Sequence, residues 1–311
     1  MRILIVSSFN KGRISPFVVE QAEALRKEGC EIDYFGLQGK GMHGYLKNLP
    51  SLQQRINVFH PDVVHAHYGL SGLLANLQRK VPVVTTYHGS DINDRKVLPF
   101  SRMAMRLSAW NIFVSRKTME IASPKRKFTL LPCGVDMSDL QLTEKNDARR
   151  KMNLDANKRY VLFAGSFDNA VKNASLAKET IELLNDENVE LLELKGYSRD
   201  EVTLLMCAAD AFLLTSISEG SPQVVKEAMV CGCPIVSVDV GDVRERVEEV
   251  AGCFVSSIRN AQELSALLRK AITYGGKTSG REKLIADRLD NKLVAQQLNG
   301  IYDRVLKYEN Y

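Results

Sequence analysis

The 311-residue chain contains no run of about eighteen apolar residues, so no segment of it reads as a membrane-spanning helix. Its start, MRILIVSSFNKGR, is too short in apolar length and too polar at its end for a secretory leader. It reads as a buried first strand, and a cytoplasmic protein is expected. Cys-x-x-Cys is absent, and most of the six cysteines (Cys30, Cys133, Cys207, Cys231, Cys233, Cys253) fall inside apolar segments. Free cysteine in such places packs as a small hydrophobe. Cys231 and Cys233 alone cannot supply a zinc site. The loop after the first strand, SSFNKGR, lacks the Gly-x-Gly-x-x-Gly of a nicotinamide or flavin dinucleotide site. That argues against a dinucleotide-dependent dehydrogenase, although Gly12 still lets backbone approach a phosphate. Asp-x-Asp occurs nowhere, and low-complexity tracts and short-period repeats are missing too.

What is present is ordinary in bulk and uneven in detail. Hydrophobic residues make up 45% and charged residues 25%, as in a soluble globular protein long enough for two domains. The net charge of +5 hides an asymmetry: residues 1–154 hold 23 Lys and Arg against 13 Asp and Glu, whereas residues 155–311 hold 19 against 24. A basic half joined to an acidic half suggests an anionic partner, such as lipid headgroups, a lipid diphosphate carrier or a polyanionic saccharide. Two solvated surfaces of unequal charge would give the same numbers. Arg116-Lys117 and Lys125-Arg126-Lys127 fit reversible docking to the inner face of a membrane. No nucleic-acid partner is expected.

Strand-like runs at residues 2–7, 32–35, 63–67, 81–87, 111–115 and 128–132 are separated by helical patterns, one of them over 16–28. A polar stretch over 137–151 follows. The pattern then restarts at 160–164, 189–195, 211–215, 234–239 and 252–255, and residues 281–311 look helical. Apolar strands alternating with amphipathic helices predict parallel sheets covered on both faces. Two doubly wound α/β domains are therefore expected, residues 1–137 and 138–311, facing across a cleft. Ligands in such folds bind at the carboxyl ends of the strands.

Residues 207–245 carry the chemistry: CAADAFLLTSISEGSPQVVKEAMVCGCPIVSVDVGDVRE. A strand runs into a loop, and a helix is predicted to open at Ser221-Pro222, with serine as cap and proline at the first helical position. Gly232 would stop it. The free N–H groups of such a junction make a site for a diphosphate. Glu219 precedes the helix and Glu227 lies within it, placed to accept from sugar hydroxyls. Two glutamates at that spacing are common, and a solvated helix face is the plain alternative for Glu227. Among Val224, Val225, Ala228 and Met229, however, a glutamate asks for a reason.

This run resembles the signature of glycosyltransferase family four, the group 1 retaining glycosyltransferases, whose pattern includes S-x-S-E-G and E-A-M-A-C-G-x-P-V-V. SPFVVEQAEALRKEGCEI, PDVVHAHYG, VTTYHGSDI and LPCGVD resemble further family segments across the whole chain. The resemblance implies the GT-B fold, two Rossmann-like doubly wound domains, with acceptor in the first and nucleotide sugar in the second. It implies that Glu227 holds the ribose and that Glu219 contacts the transferred sugar. Gly220, Ser221, Pro222, Gln223 and Val224 would line sugar and diphosphate. His88 corresponds to a family histidine near the donor sugar, for which a strand-end hydrogen bond is the structural alternative. Asp91 in the same segment is a weak acceptor candidate. His65 and His67 share a strand face and could pair on a metal, but the resemblance makes them scaffold.

Two departures stand out. Where the family reads G-R-x-x-x-x-K-G, this chain has GSFDNAVKN: Lys172 matches the lysine with one residue to spare, and Ser166 replaces the arginine. A cation is missing from the expected diphosphate clamp, for which Lys11 or Arg13 beside Gly12 could substitute. The span between Lys172 and Ala208-Ala209-Asp210 holds only one strand unit where the family commonly has two, so the second domain is expected to be shortened. The expected activity is metal-independent, retaining transfer of a hexose-type sugar from a nucleoside-diphosphate sugar, UDP ahead of GDP, without other cofactor. The acceptor would be a saccharide or lipid-linked molecule in cell-envelope polysaccharide synthesis. A nucleotide-sugar epimerase of the same fold and a non-catalytic nucleotide-binding member are the alternatives.

Overall fold

The computed structural model describes residues 1–137 and 142–308. The chain forms two compact units, Met1–Gly134 with Leu289–Tyr311, and Val135–Arg288. The first unit is built on six parallel strands, β1 (Arg2–Ser8), β2 (Glu31–Leu37), β3 (Val63–His67), β4 (Val83–Tyr87), β5 (Trp110–Phe113) and β6 (Phe128–Leu130). Their order is β2-β1-β3-β4-β5-β6. All five residues of β3 and of β4 are buried, as strands covered on both faces must be. The helix Pro16–Lys27 ends close to the predicted Glu28.

The second unit carries β7 (Arg159–Phe163), β8 (Val189–Glu193), β9 (Ala211–Leu214), β10 (Ile235–Val238) and β11 (Phe254–Ser256) in the order β11-β10-β9-β7-β8, again parallel. Its five strands against six in the first sheet agree with the shortened second domain read from the Lys172–Asp210 span. Asp210, which precedes β9, is a hub for this unit. It accepts from Lys145 Nζ at 2.6 Å, from the buried Arg149 Nη2 at 2.7 Å and from the Tyr160 amide at 2.7 Å. It thereby ties the helix Lys145–Lys151 to the sheet.

The domain boundary needs a correction. The terminal helix Asn291–Tyr308 belongs to the first unit, not to the second as a 138–311 domain would have it. Its buried Val294, Ala295, Leu298, Ile301, Tyr302 and Val305 recur at helical spacing and form one apolar stripe. Tyr302 is fully buried, and its hydroxyl meets His65 Nδ1 at 2.6 Å. Asn299 Oδ1 accepts from Cys30 Sγ at 3.2 Å beside the Pro16–Lys27 helix. A helical pattern at the end of a chain shows an apolar face, but it does not say which sheet that face covers. The predicted boundary itself, between 137 and 138, adjoins residues outside those described.

All six cysteines are free and buried, as expected of core packing. Among the described residues no helix is long and apolar enough to cross a membrane.

Candidate functional site

In each sheet the strand order reverses beside the first strand, between β1 and β3 and between β7 and β9. Such switch points open a crevice at the strands' carboxyl ends. In the second unit, the loop after β7 ends in a turn, Ala170–Lys172, that packs against the loop after β9. Ile217 donates its amide to Val171 O at 2.8 Å, and Thr215 Oγ1 donates to the carbonyls of Lys172 at 2.9 Å and Asn173 at 3.0 Å. These bonds bring Lys172 Nζ to 2.7 Å from Glu219 Oε1, with 18% and 17% of the two side chains exposed. Gly165 makes room for the lysine stem, since a Cβ there would stand 3.0 Å from Lys172 Cγ. The two charged residues picked from separate motifs are thus one ion pair.

The helix after Glu219 starts one residue later than predicted and is capped differently. It spans Gln223–Val230 with Pro222 in the cap position, and no side chain caps it. Ser221 instead donates its Oγ to Asp242 Oδ2 at 2.8 Å. A carboxylate only 2% exposed makes the stronger claim on that hydroxyl than helix-end amides do. Ser221 is thus engaged by Asp242 and does not cap the helix. Gly220 and Pro222 are buried, while Ser221, Gln223, Val224 and Glu227 are half-buried. Glu227 is accordingly not a fully solvated helix position.

Behind this loop stand groups that the sequence pattern does not single out. Lys226 is 1% exposed on a largely apolar helix. Burial raises the Asp242 carboxyl above its usual range, opposed by Lys226, Arg246 and the Ser221 hydroxyl. Gly241 has φ +56, and a Cβ on it would stand 2.5 Å from Gly220 O. A lysine inside an apolar helix was the available signal for Lys226; Gly241 and Asp242 gave none.

Ser166, at the position of the family arginine, donates its hydroxyl to Asp168 Oδ1. Asp168 pairs with Lys195 Nζ at 2.7 Å, and Lys195 and Ser166 together hold its carboxyl below the ordinary range. Lys195 follows β8, and no motif in the sequence marks it. Both ends of this pair are largely in solvent, so it contributes little to stability.

His88, Asp91 and Gly12 lie in the first unit. His65, His67 and His88 form a column: the first two rings stack at 4.4 Å, and His67 Nδ1 meets His88 Nε2 at 3.0 Å. Burial drives the His65 pKa down to about 3, and burial with the neighbouring imidazoles lowers His67 as well. His67 Nε2 has no hydrogen-bond partner. A bare ring nitrogen costs less than a bare buried N–H, so the pair is assigned with His67 Nδ1–H donating to His88 Nε2. His65 is held by Tyr302 and by Thr86 Oγ1 at 2.8 Å, which suits the scaffold role given to it and His67. No group of three or more His, Cys, Asp or Glu able to hold a metal occurs among the described residues.

Asp91, the acceptor candidate, directs its carboxylate to backbone amides. It is 3% exposed, and its oxygens accept from the amides of Gly69 at 2.9 Å and of His88 and Gly89 at 3.0 Å. Those bonds set the loop carrying His88. Burial raises its pKa to about 6 against the lowering effect of the amides. Gly12 sits in an open turn with φ +71 and nothing within 4 Å of a Cβ.

Comparison with known proteins gives two family matches: Glycosyltransferase Family 4 over residues 40–139 and Glycosyl transferases group 1 over residues 158–273. The teichuronic acid biosynthesis glycosyltransferase TuaC of Bacillus subtilis is 27% identical over 224 residues, covering 63% of this chain and 57% of that protein. The chain spans only 57% to 61% of the length of the first curated relatives it matches. Among solved structures, sucrose-phosphate synthase from Thermosynechococcus elongatus superposes with a TM-score of 0.83 at 16% identity, over 99% of this chain and 100% of that one. Anabaena Alr3699/HepE in complex with UDP gives 0.76 at 18% identity, over 98% and 100%. These likenesses establish the two-domain fold.

Proposed function

Because the chain belongs to the family-four, group 1 glycosyltransferases, we propose that it transfers a hexose-type sugar from a nucleoside-diphosphate sugar, with retention of configuration. The Lys172–Glu219 pair, just ahead of the Gln223–Val230 helix, carries this reading. Lys172 and the amides after Pro222 stabilise the departing diphosphate, where negative charge develops. Glu219 orients the sugar through its hydroxyls, Glu227 holds the ribose, and His88 meets the donor sugar. The bond from C1 to the phosphate oxygen breaks as the acceptor oxygen bonds to C1 on the same face. The leaving phosphate oxygen takes the acceptor's proton. No metal is assigned a role, and UDP is favoured over GDP; the UDP complex of Alr3699/HepE supports that choice.

The acceptor is a saccharide or lipid-linked molecule of cell-envelope polysaccharide synthesis, a reading supported by TuaC, named for teichuronic acid biosynthesis. We place the protein at the cytoplasmic membrane surface. The helix Leu98–Leu107 exposes Phe100, Met103 and Leu107 beside Arg102 and Arg106, and a neighbouring cavity is lined by Lys125 and Arg126. Incubation with UDP-, GDP- and ADP-sugars, with products followed by NMR, tests the assignment. Transfer with retained anomeric configuration is expected from one of them. A free epimer formed without acceptor would replace this reading by the epimerase.

A further inference from the structure

The first unit has a cavity of about 450 Å³ at its own switch point, where the carboxyl ends of β1, β3 and β4 meet. Ser8, Lys11, Arg13, Tyr45, Tyr68 and Ser71 contribute to its lining. Two observations there concern charge and hydrogen bonding. Lys11 and Arg13 are exposed on the Gly12 turn, and neither side chain has an ion pair or hydrogen bond among the described residues. Ser71 is 1% exposed in the first turn of the helix Gly69–Asn76, and its Oγ has no partner. A buried hydroxyl left without a bond is costly, and one lining a cavity is placed to bond whatever enters.

Two carboxylates share this lining, and both have other engagements. Asp91 spends its oxygens on three amides. Asp94 accepts from the Lys96 amide at 2.8 Å and faces solvent. The cations are uncommitted, while the buried acid is committed. The amino end of the Gly69–Asn76 helix is met by Asp91 through the Gly69 amide, so the exposed Lys11 and Arg13 are the positive groups of this lining. Tyr68 joins the cavity to His88, its ring 4.7 Å from the imidazole.

We propose that this cavity receives an anionic group of the acceptor, a phosphate or a carboxylate, bound by Lys11 and Arg13 and hydrogen-bonded by Ser71 Oγ. The inference rests on the reading that the first unit holds the acceptor, and it removes Lys11 and Arg13 from the donor's diphosphate. It narrows the acceptor class to phosphorylated or uronic-acid saccharides and their lipid-linked forms. A neutral sugar would leave a guanidinium and an ammonium unused at the switch point.

Binding without turnover tests it. Glucose 6-phosphate, glucuronate and glucose are titrated into the full-length protein, with UDP in a separate titration. At least one anionic sugar is expected to bind more tightly than glucose. The double variant Lys11→Ala/Arg13→Ala should weaken that binding about tenfold or more, and Ser71→Ala should weaken it less. UDP affinity should stay within about twofold in all of them. Equal affinity for charged and neutral sugars overturns the proposal. So does a matching loss of UDP affinity, which would return the cations to the donor. Anion binding that survives in a protein showing no transfer would leave the proposal standing and remove the catalytic reading.

Discussion

Lys172 Nζ lies 2.7 Å from Glu219 Oε1, so the cation assigned to the leaving diphosphate is already partnered by the carboxylate assigned to the sugar. The donor must therefore enter a neutral pair rather than a bare positive charge. Each side chain is under one-fifth exposed, so the pair is neither screened like a surface bridge nor deeply desolvated. Lys172→Met should lower kcat by about 10²- to 10³-fold, as for loss of a group that stabilises transition-state charge. Glu219→Gln frees the ammonium. It should lower kcat comparably while leaving UDP affinity unchanged or tighter. Steady-state kinetics beside UDP calorimetry would check both. Full transfer rates in either variant would remove these roles.

Gly241 sets the floor beneath the same loop. Its φ of +56 and the 2.5 Å approach of a would-be Cβ to Gly220 O leave no place for a methyl group. Gly241→Ala should raise the donor KM and lower the melting temperature, since either Gly220 moves or the turn rebuilds. Gly29→Ala is the control, because its turn also has a positive φ but open space around it. It should show only the backbone cost, about 1 kcal/mol. Melting curves and donor KM values for the two variants would separate steric from backbone effects.

The contrast between Glu219 and Gly241 shows how legible the site is in the sequence. Glu219 lies in a long motif between a strand and a helix, where chain-local chemistry and position agree, and Lys172 and His88 stand out likewise. Gly241 matters because a loop twenty-one residues on folds beneath Gly220, and nothing in its own neighbourhood announces that. Ser221 reads as a cap until the competing acceptor, Asp242, arrives from another loop. The sheets are legible from apolar alternation. The allegiance of the Asn291–Tyr308 helix is not, because its apolar stripe fits either sheet until His65 and Tyr302 are seen to meet.

Asp210 is a stability residue despite its place inside the signature. Arg149 is 7% exposed and directs Nη2 to Asp210, with Nε on Ala208 O and Nη1 on Ala156 O. Asp210→Ala leaves that guanidinium buried without its counter-charge and should cost about 3–5 kcal/mol. Asp210→Asn keeps an acceptor and should cost less. Urea unfolding would measure both, and a loss under about 1 kcal/mol for the alanine variant would contradict the hub.

Membrane docking has its own signature in salt. Arg102, Arg106, Lys125 and Arg126 adjoin one cavity on the first unit, with Phe100, Met103 and Leu107 exposed on the helix Leu98–Leu107. Vesicles rich in phosphatidylglycerol should sediment the protein at low ionic strength, and pure phosphatidylcholine vesicles should not. Arg102→Glu/Arg106→Glu should weaken binding by about 30-fold or more, near 1 kcal/mol per basic residue removed and more on charge reversal. Binding unaffected by salt or by this variant would exclude a basic docking face.

Asp91 gives the chain a pH response that can be assigned to one residue. Its pKa is raised by burial from 3.8 to about 6, so the folded state holds a proton that the unfolded state has released between those values. The stability linked to this proton is fully present below about pH 4 and is lost as pH rises through about 6. The difference is about 3 kcal/mol over that window, because each pH unit between the two values contributes about 1.4 kcal/mol. Asp91→Asn carries no proton to lose, so its stability should fall less than the wild type's as pH rises from about 4 to about 6.5. The loop tells the opposite story for catalysis. Only the ionised carboxylate accepts fully from the Gly69, His88 and Gly89 amides, so kcat/KM should fall as pH drops through about 6 even while the protein becomes harder to unfold. Parallel pH series of chemical denaturation and transfer rate on wild type and Asp91→Asn would reveal this divergence. Identical stability slopes in the two proteins would mean that Asp91 titrates near its ordinary value and does not tune the His88 loop.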